Sequence, residues 1–246
     1  MRNSPALAED DDVSMFHPVG HSFELVMRHG PCAELAGTLP ECDRPSVVVC
    51  HPDDRAIVLG SMQQFGDCQV ARARSEGFET VRRMSGGGGL VIEPDEVLWI
   101  DLFVPVDDPG YLRDIRKGAY VVGEMWIEAL CAIGCDPSLL EVHRAAMTMT
   151  PSAQMSCFAG LGPGEVTLDG KKVMGLSQRR IRSGAWYFTL VQLGSNAARD
   201  ARLLAPDPES ERALRRVLED VVGTVDAARD QLSERFLSVL GGHQPD

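Results

Sequence analysis

A run of four glycines constrains this chain more than any other feature of the sequence. It spans residues 86–89, follows closely on Arg82, Arg83 and Ser85, and leads into an apolar, strand-like segment that begins at Leu90. Glycine adds no side chain to a core and loses more conformational entropy on folding than other residues. Four glycines between ordered segments therefore indicate backbone that approaches another group closely, and the neighbouring arginines favour an anionic or strongly polar group. A flexible turn between two strands is the alternative that the run alone leaves open.

The net charge and the N-terminal residues argue against a nucleic-acid-binding, membrane or secreted protein. The formal net charge of −12 argues against general binding to nucleic acid. No apolar stretch is long enough to span a bilayer, and the N-terminus lacks the apolar region of a signal peptide, so we expect a cytoplasmic protein without a membrane partner. The acidic residues 1–13 are expected to be disordered.

The chain has seven cysteines, an odd number in a chain too long for a small disulfide scaffold. We therefore expect reduced thiols. Cys131, Cys135 and His143 lack a fourth ligand at zinc-like spacing, so no metal site is predicted. Cys157 lies in a loop of small residues ahead of a basic segment, where a lowered thiol pKa would make it a nucleophile. An inert loop cysteine is the alternative.

Hydrophobic periodicity and turn residues predict an α+β fold with a mixed, mostly antiparallel sheet flanked by helices. One α+β domain is expected over residues 14–205, followed by a helical appendage over 206–246 that begins near Pro208. The glycine at position 170 follows Asp169 between two extended arms, which suits a type I′ hairpin turn over 165–175. Further strands are predicted at 46–50, 56–60, 78–81, 97–104, 139–143 and 186–193, and helices at 67–77 and from just after Pro109 to Ile133.

A second polar feature follows the predicted hairpin turn. Residues 171–182 carry five lysines and arginines and no acid, and Lys172 lies two positions after the turn glycine. This pattern is typical of a binding surface for an anionic group, and a solvated basic strand would look the same.

Three motifs occur together and in order. They are Gly60-Ser-Met-Gln63 at the end of a strand, RRMSGGG at residues 82–88, and DGKKVMGLSQR at residues 169–179. The set resembles the lipoate–protein ligase and octanoyltransferase family over roughly residues 46–193. The resemblance implies a fold like the catalytic domain of biotin and lipoate ligases. It also implies transfer of an octanoyl or lipoyl group to a lysine of an acceptor lipoyl domain.

The resemblance also implies roles for individual residues. The glycine-rich loop would wrap the acyl chain and the activated end of the donor, and Lys172 would contact the acyl carbonyl group. Cys157-Phe158 resembles the Cys-Phe of the cysteine-dependent branch, in which the cysteine carries the acyl group as a thioester. The catalytic positions implied are Cys157 and Lys172, and the substrate-binding positions are Arg82, Arg83, Ser85, Gly86, Gly87, Gly88, Gly175, Ser177 and Gln178.

Two departures from the family pattern leave alternatives open. Ile92-Glu93-Pro94 stands where the family has a His-Asp pair, and residues 185–188 stand where it has His-Gly. An ATP-dependent lipoate–protein ligase, using ATP and Mg²⁺, is one alternative, and a non-catalytic lipoate-binding carrier is another. The expected acceptor is the lipoyl domain of a 2-oxoacid dehydrogenase subunit or an H-like protein of glycine cleavage, and the expected donor of an octanoyl group is acyl carrier protein.

Overall fold

The computed structural model describes residues 23–241, which form two β-sheets with helices around them. The segment 1–13, for which disorder was expected, lies outside these residues. The strands are β1 (Glu24–Gly30), β2 (Ser46–Pro52), β3 (Ala56–Leu59), β4 (Glu79–Arg82), β5 (Leu90–Ile92), β6 (Val97–Pro105), β7 (Leu140–Val142), β8 (Val166–Leu168), β9 (Lys171–Ile181) and β10 (Gly184–Gln192). The helices are α1 (Cys32–Gly37), α2 (Asp67–Ser75), α3 (Ile115–Ala132), α4 (Pro151–Met155), α5 (Ala197–Leu204), α6 (Pro208–Val221) and α7 (Arg229–Gly241).

The larger sheet is mixed and mostly antiparallel, as the sequence predicts. Its strand order is β1-β2-β6-β10-β9-β8-β7, and only β1 and β2 pair in parallel. The smaller sheet has the order β4-β3-β5, in which β3 is parallel to β4 and antiparallel to β5. The loop between β4 and β5 is the glycine-rich segment, so the small sheet holds both ends of that loop.

Alternation along β6 divides the core between the two faces of the larger sheet. Leu98 and Ile100 face α3 and α7, whereas Trp99 and Phe103 face the small sheet. Trp126 of α3 stacks on Phe236 of α7 at a ring-centroid distance of 4.0 Å, which closes the helical side. The small-sheet side is the one that contains the glycine-rich loop.

The hairpin turn has the predicted geometry, but helix α3 begins later than predicted. Asp169 and Gly170 have φ angles of 51° and 73°, as a type I′ turn requires. The prediction that α3 starts just after Pro109 is wrong, because the side chain of Asp114 accepts hydrogen bonds from the backbone N–H groups of Arg116 and Lys117 and caps the helix there.

Four elements were not predicted from the sequence: β1, α1, α4 and α5. The predicted tail consists of two helices, α6 and α7. Leu214 and Leu218 of α6 pack into the small-sheet side of the core, and Leu232 and Phe236 of α7 pack into the other side. Within residues 23–241, no helix combines the length and apolar character needed to cross a membrane.

Candidate active site

Two arginines hold the glycine-rich loop in shape. The Arg83 guanidinium donates to the carbonyl oxygens of Gly86 at 2.7 Å and Gly88 at 2.9 Å, and to Ser85 Oγ at 3.1 Å. Arg82 Nη1 donates to the carbonyl oxygens of Gly60 at 2.8 Å and of residue 63 at 2.9 Å. Both arginines therefore bind backbone around the loop, where the sequence had suggested an anionic partner.

The glycines are required by close approach between backbone segments. A Cβ atom at Gly60 would overlap the carbonyl oxygen of Gly87, which itself has a φ angle of +100°. A Cβ at Gly88 would lie 2.6 Å from the carbonyl oxygen of Ala153 and 2.8 Å from the backbone nitrogen of Cys157. The loop is therefore packed between the end of β3 and the segment that carries Cys157.

Cys157 is fixed against the glycine-rich loop through its backbone. Its N–H donates to the carbonyl oxygen of Gly89 at 2.9 Å, and the N–H of Gly89 donates to the carbonyl oxygen of Met155 at 2.9 Å. This short parallel bridge continues the edge of the small sheet. The residue is partly exposed, and it begins a 3₁₀ turn over Cys157–Ala159.

The hairpin lies on the other side of Cys157 and holds it through Lys172. The Lys172 ammonium donates to the carbonyl oxygens of Cys157 at 2.7 Å and Gly160 at 3.0 Å. It also forms an ion pair with Glu165 at 2.7 Å, in which both side chains are about 95% buried or more. Phe158 lies beneath the ammonium, 4.9 Å from nitrogen to ring centroid. Glu165 was not identified from the sequence, although it is the nearest acid before the turn of the basic hairpin.

The glycine-rich loop and the hairpin meet at one apolar cavity. Ser85 Oγ and Ser177 Oγ lie 2.9 Å apart and join the two walls. The cavity encloses about 590 Å³, its open mouth included. Its lining residues are Leu35, Ala36, Val58, Arg83, Met84, Ser85, Leu90, Ile92, Trp99, Cys157, Phe158, Gly175, Leu176, Ser177, Phe188, Thr189 and Leu190.

The structure brings together some of the predicted site residues and separates others. Arg83, Ser85, Cys157, Gly175 and Ser177 all line the cavity. Arg82 lies outside it on the exposed side of the loop, as do Gly86 and Gly87, while the neighbouring Gly88 is buried against 153–157.

Gln178 lies on the opposite face of β9 from the cavity. With its amide oxygen turned toward them, it accepts from Arg180 Nη2 at 3.0 Å and from Tyr187 Oη at 3.1 Å. Tyr187 packs on the α3 side of the sheet. Gln178 therefore supports the sheet behind the cavity.

A buried acid, Asp101, lies on the same face of β6 as the cavity wall. Trp99 lines the cavity, and its Nε1–H donates to Asp101 Oδ1 at 2.9 Å. Burial raises the pKa of Asp101 to about 8, although the hydrogen bond from Trp99 and the charge of Arg28 oppose this shift. Asp101 was not identified from the sequence, although it is an acid inside the apolar strand predicted at 97–104.

The two departures from the family motifs have structural roles. Glu93 forms ion pairs with Arg55 at 2.7 Å and with Arg199 at 3.4 Å, and so ties the end of β5 to α5. Trp186 is buried and packs against Phe103 at a ring-centroid distance of 5.0 Å. Among the described residues, no group of histidine, cysteine and carboxylate side chains could hold a metal ion.

Comparison with solved structures shows the same fold in lipoate–protein ligases. A lipoate–protein ligase A bound with ATP shares 15% identity at a TM-score of 0.66, covering 88% of this chain and 83% of that one. A protein from T. acidophilum described as a lipoate protein ligase with bound lipoic acid shares 14% identity at a TM-score of 0.65, again over 88% and 83%. The bipartite ligase of Thermoplasma acidophilum, studied with its E2 lipoyl domain, shares 14% identity at a TM-score of 0.66, over 89% and 82%.

Comparison of sequences gives the family. A search of curated protein sequences found no match. The profile of the lipoyl protein ligase A/B catalytic domain matches residues 34–235, which is most of the chain and includes the glycine-rich loop, Cys157 and the hairpin. The chain therefore belongs to the lipoyl protein ligase A/B catalytic-domain family, a family of enzymes that act in protein lipoylation.

Proposed function

We propose that this protein is an acyltransferase that carries an octanoyl or lipoyl group as a thioester on Cys157 and passes it to a lysine of a lipoyl domain. One observation carries the proposal: Cys157 lines the same apolar cavity as the glycine-rich loop and the Gly175–Ser177 stretch of β9. The apolar lining of the cavity suits an acyl chain, because burial contributes about 0.8 kcal/mol for each methylene group. Octanoyl-acyl carrier protein is the proposed donor.

The proposed reaction balances without an added co-reactant. The Cys157 sulfur attacks the carbonyl carbon of the donor thioester, a new C–S bond forms, and the donor thiol leaves with the proton that Cys157 loses. The amine of the acceptor lysine then attacks the Cys157 thioester. The amide bond forms, the C–S bond to Cys157 breaks, and a proton from the amine returns to the sulfur.

The negative charge on the tetrahedral intermediate needs hydrogen-bond donors. The Lys172 ammonium already donates to three acceptors, Glu165, Cys157 and Gly160. Gly88 is the loop residue packed against the Cys157 backbone, and within residues 23–241 its N–H has no acceptor. The backbone N–H groups at this end of the glycine-rich loop are therefore the proposed donors to the oxyanion.

The family and one solved relative support the proposed acceptor. The Thermoplasma acidophilum ligase with this fold is described together with its E2 lipoyl domain. This pairing supports a lipoyl domain as the acceptor here, such as that of a 2-oxoacid dehydrogenase subunit or a glycine-cleavage H-like protein.

Intact-mass analysis tests the covalent step. After incubation with octanoyl-acyl carrier protein, wild-type protein should gain the mass of one octanoyl group, and Cys157→Ala should gain none. Cys68→Ala is the matched control, because Cys68 is an exposed cysteine on α2 outside the cavity. An unmodified wild type, or the same added mass on Cys157→Ala, would reject the thioester route.

The second candidate is ATP-dependent ligation through a lipoyl-adenylate, with Mg²⁺ as the partner of ATP. Solved relatives with this fold are described with bound ATP and with bound lipoic acid, which supports it. It predicts pyrophosphate release that depends on lipoate and is unchanged in Cys157→Ala. Tight lipoate binding without transfer to any lipoyl domain would instead identify a carrier.

A further inference from the structure

Both peptide groups that flank the Cys157 side chain are hydrogen-bonded to other segments. The N–H of Cys157 donates to Gly89 O at 2.9 Å, and its carbonyl oxygen accepts from Lys172 Nζ at 2.7 Å. A lysine ammonium has three protons. The other two of Lys172 go to Gly160 O at 3.0 Å and Glu165 Oε2 at 2.7 Å, so this arrangement leaves no donor for a substrate carbonyl group.

Glu165 holds this arrangement from the other side. Its Oε2 accepts from the N–H of Gly162 at 2.7 Å as well as from Lys172, and its Oε1 accepts from the N–H of Leu176 at 3.2 Å. The side chains of Lys172 and Glu165 are 3% and 5% exposed. The pair therefore fastens the loop 157–164 to β9 at two points and is shielded from water.

We propose that Glu165 is a positioning residue that acts with Lys172 to fix the backbone of Cys157, and through it the thiol, at the wall of the cavity. The inference rests on the proposed function, in which Cys157 is the nucleophile. In this role Lys172 acts through the Cys157 peptide group. A nucleophile displaced by about 1 Å loses rate while the donor still binds.

The test compares the rate of Cys157 acylation by octanoyl-acyl carrier protein in wild type, Glu165→Gln, Lys172→Gln and the double variant. We expect each single change to lower the rate constant at saturating donor by about 10- to 100-fold, with the half-saturating donor concentration unchanged. The double variant should be no slower than the slower single variant, because both substitutions break the same ion pair. It also replaces a buried ion pair by two neutral amides, so it remains testable if a single variant folds poorly.

Lys171→Gln is the matched control, because this neighbouring lysine is exposed and donates to Glu219 O at 3.1 Å, away from Cys157. It should keep the wild-type rate. A wild-type rate in Glu165→Gln together with an inactive Lys172→Gln would overturn the proposal, since Lys172 would then act on the substrate without Glu165.

Hydrogen exchange separates this inference from the proposed function. In Glu165→Gln and Lys172→Gln, peptides that cover residues 157–164 should exchange faster than in wild type. Unchanged exchange in both variants would overturn the positioning role. Faster exchange combined with a wild type that takes up no octanoyl group would reject the proposed function and leave the Glu165–Lys172 pair as the element that holds the loop.

Discussion

Two buried carboxylic acids lie near the cavity, and the protein treats them differently. Glu165, on the hairpin side, faces the Lys172 ammonium and accepts from two backbone N–H groups. Asp101, on the β6 side, accepts from Trp99 Nε1, and burial raises its pKa to about 8 although the Trp99 bond, the charge of Arg28 and a backbone hydrogen bond from Thr189 all lower it. Both residues are less than 5% exposed. Two equally buried acids therefore differ in their partners: Glu165 faces a cation, whereas Asp101 lies in an apolar wall.

The partners of the two acids differ because the hairpin side and the β6 side have different structural roles. The hairpin side fixes a polar loop around Cys157, so a charge-assisted network strengthens it. The β6 side forms the wall of an apolar cavity, where a charged group without a counter-ion would be costly. With a pKa of about 8, Asp101 is mostly protonated at pH 7 and keeps charge away from the cavity wall.

The largest expected change in stability comes from removing one partner of the buried Lys172–Glu165 ion pair. Lys172→Met leaves the Glu165 carboxylate buried without its cation and should lower the free energy of unfolding by about 3–5 kcal/mol. Denaturant unfolding measures it, and Lys171→Met, at an exposed position, should change stability by less than about 0.5 kcal/mol. Adding Glu165→Gln to Lys172→Met should recover part of the loss. A loss under about 1 kcal/mol in Lys172→Met would remove the contrast between the two acids.

The second largest expected change is a gain in stability, and it comes from replacing Asp101. The folded pKa of about 8 lies above the ordinary value of 3.8, so the folded state binds a proton that the unfolded state releases. Stability from this group is therefore complete below pH 4 and is lost as the pH rises to 8. Asp101→Asn cannot ionise and keeps an acceptor for Trp99, so it should raise the free energy of unfolding by about 2–4 kcal/mol at pH 7.

Wild type and Asp101→Asn share every titrating group except Asp101. The pH dependence of the difference between their free energies of unfolding therefore reports on Asp101 alone. The stability difference between Asp101→Asn and wild type should grow by about 1.4 kcal/mol per pH unit from pH 5 to 8 and then level off. Asp220→Asn, the same substitution at an exposed position, is the control. A difference that does not change with pH would mean that Asp101 is ionised in the folded protein.

Much of the fold could be predicted because its signals are local. Alternation marked the strands, and Asp169-Gly170 marked the turn. The start of α3 was missed because Pro109 and the acids before it also suit a helix start, while the cap at Asp114 is recognisable only from its hydrogen bonds. β1 was missed although it pairs with β2 along its whole length, since three of its seven residues are charged or histidine and its outer side is exposed.

The sequence indicated which segments form the candidate site, but not which of their side chains face the cavity. Ser85 comes from one motif and Gly175 and Ser177 from another, and in the structure all three line one cavity. Ser177 and Gln178 are adjacent on a strand, so alternation alone indicates that only one of them faces the cavity. Arg83 and Lys172 each donate to two backbone carbonyl oxygens, which every residue has, so no sequence pattern could identify these partners.

A smaller loss of stability is expected from adding a side chain at Gly60, where the glycine-rich loop meets the end of β3. Gly60→Ala places a methyl group against the carbonyl oxygen of Gly87 and should cost about 1–3 kcal/mol of stability through overpacking. It should also slow acylation of Cys157, because the displaced loop carries Gly89, the partner of the Cys157 N–H. Gly37→Ala, which meets no atom within 4 Å, is the control. An undisturbed acylation rate in Gly60→Ala would show that the loop tolerates displacement and that the hairpin side alone positions the thiol.

The smallest effect concerns the bond that joins the two walls of the cavity. Ser177→Ala removes the 2.9 Å contact with Ser85 Oγ and should lower the free energy of unfolding by about 0.5–1.5 kcal/mol. Ser85→Ala should cost more, because Ser85 Oγ also accepts from Arg83 Nε, and the double variant should be less stable by less than the sum of the two losses. Ser75→Ala, which removes an exposed hydroxyl within α2, provides the control for loss of a hydrogen bond alone. Additive losses would mean that the two serines act independently, so that the glycine-rich loop and the hairpin are held together only by the backbone contacts of Cys157.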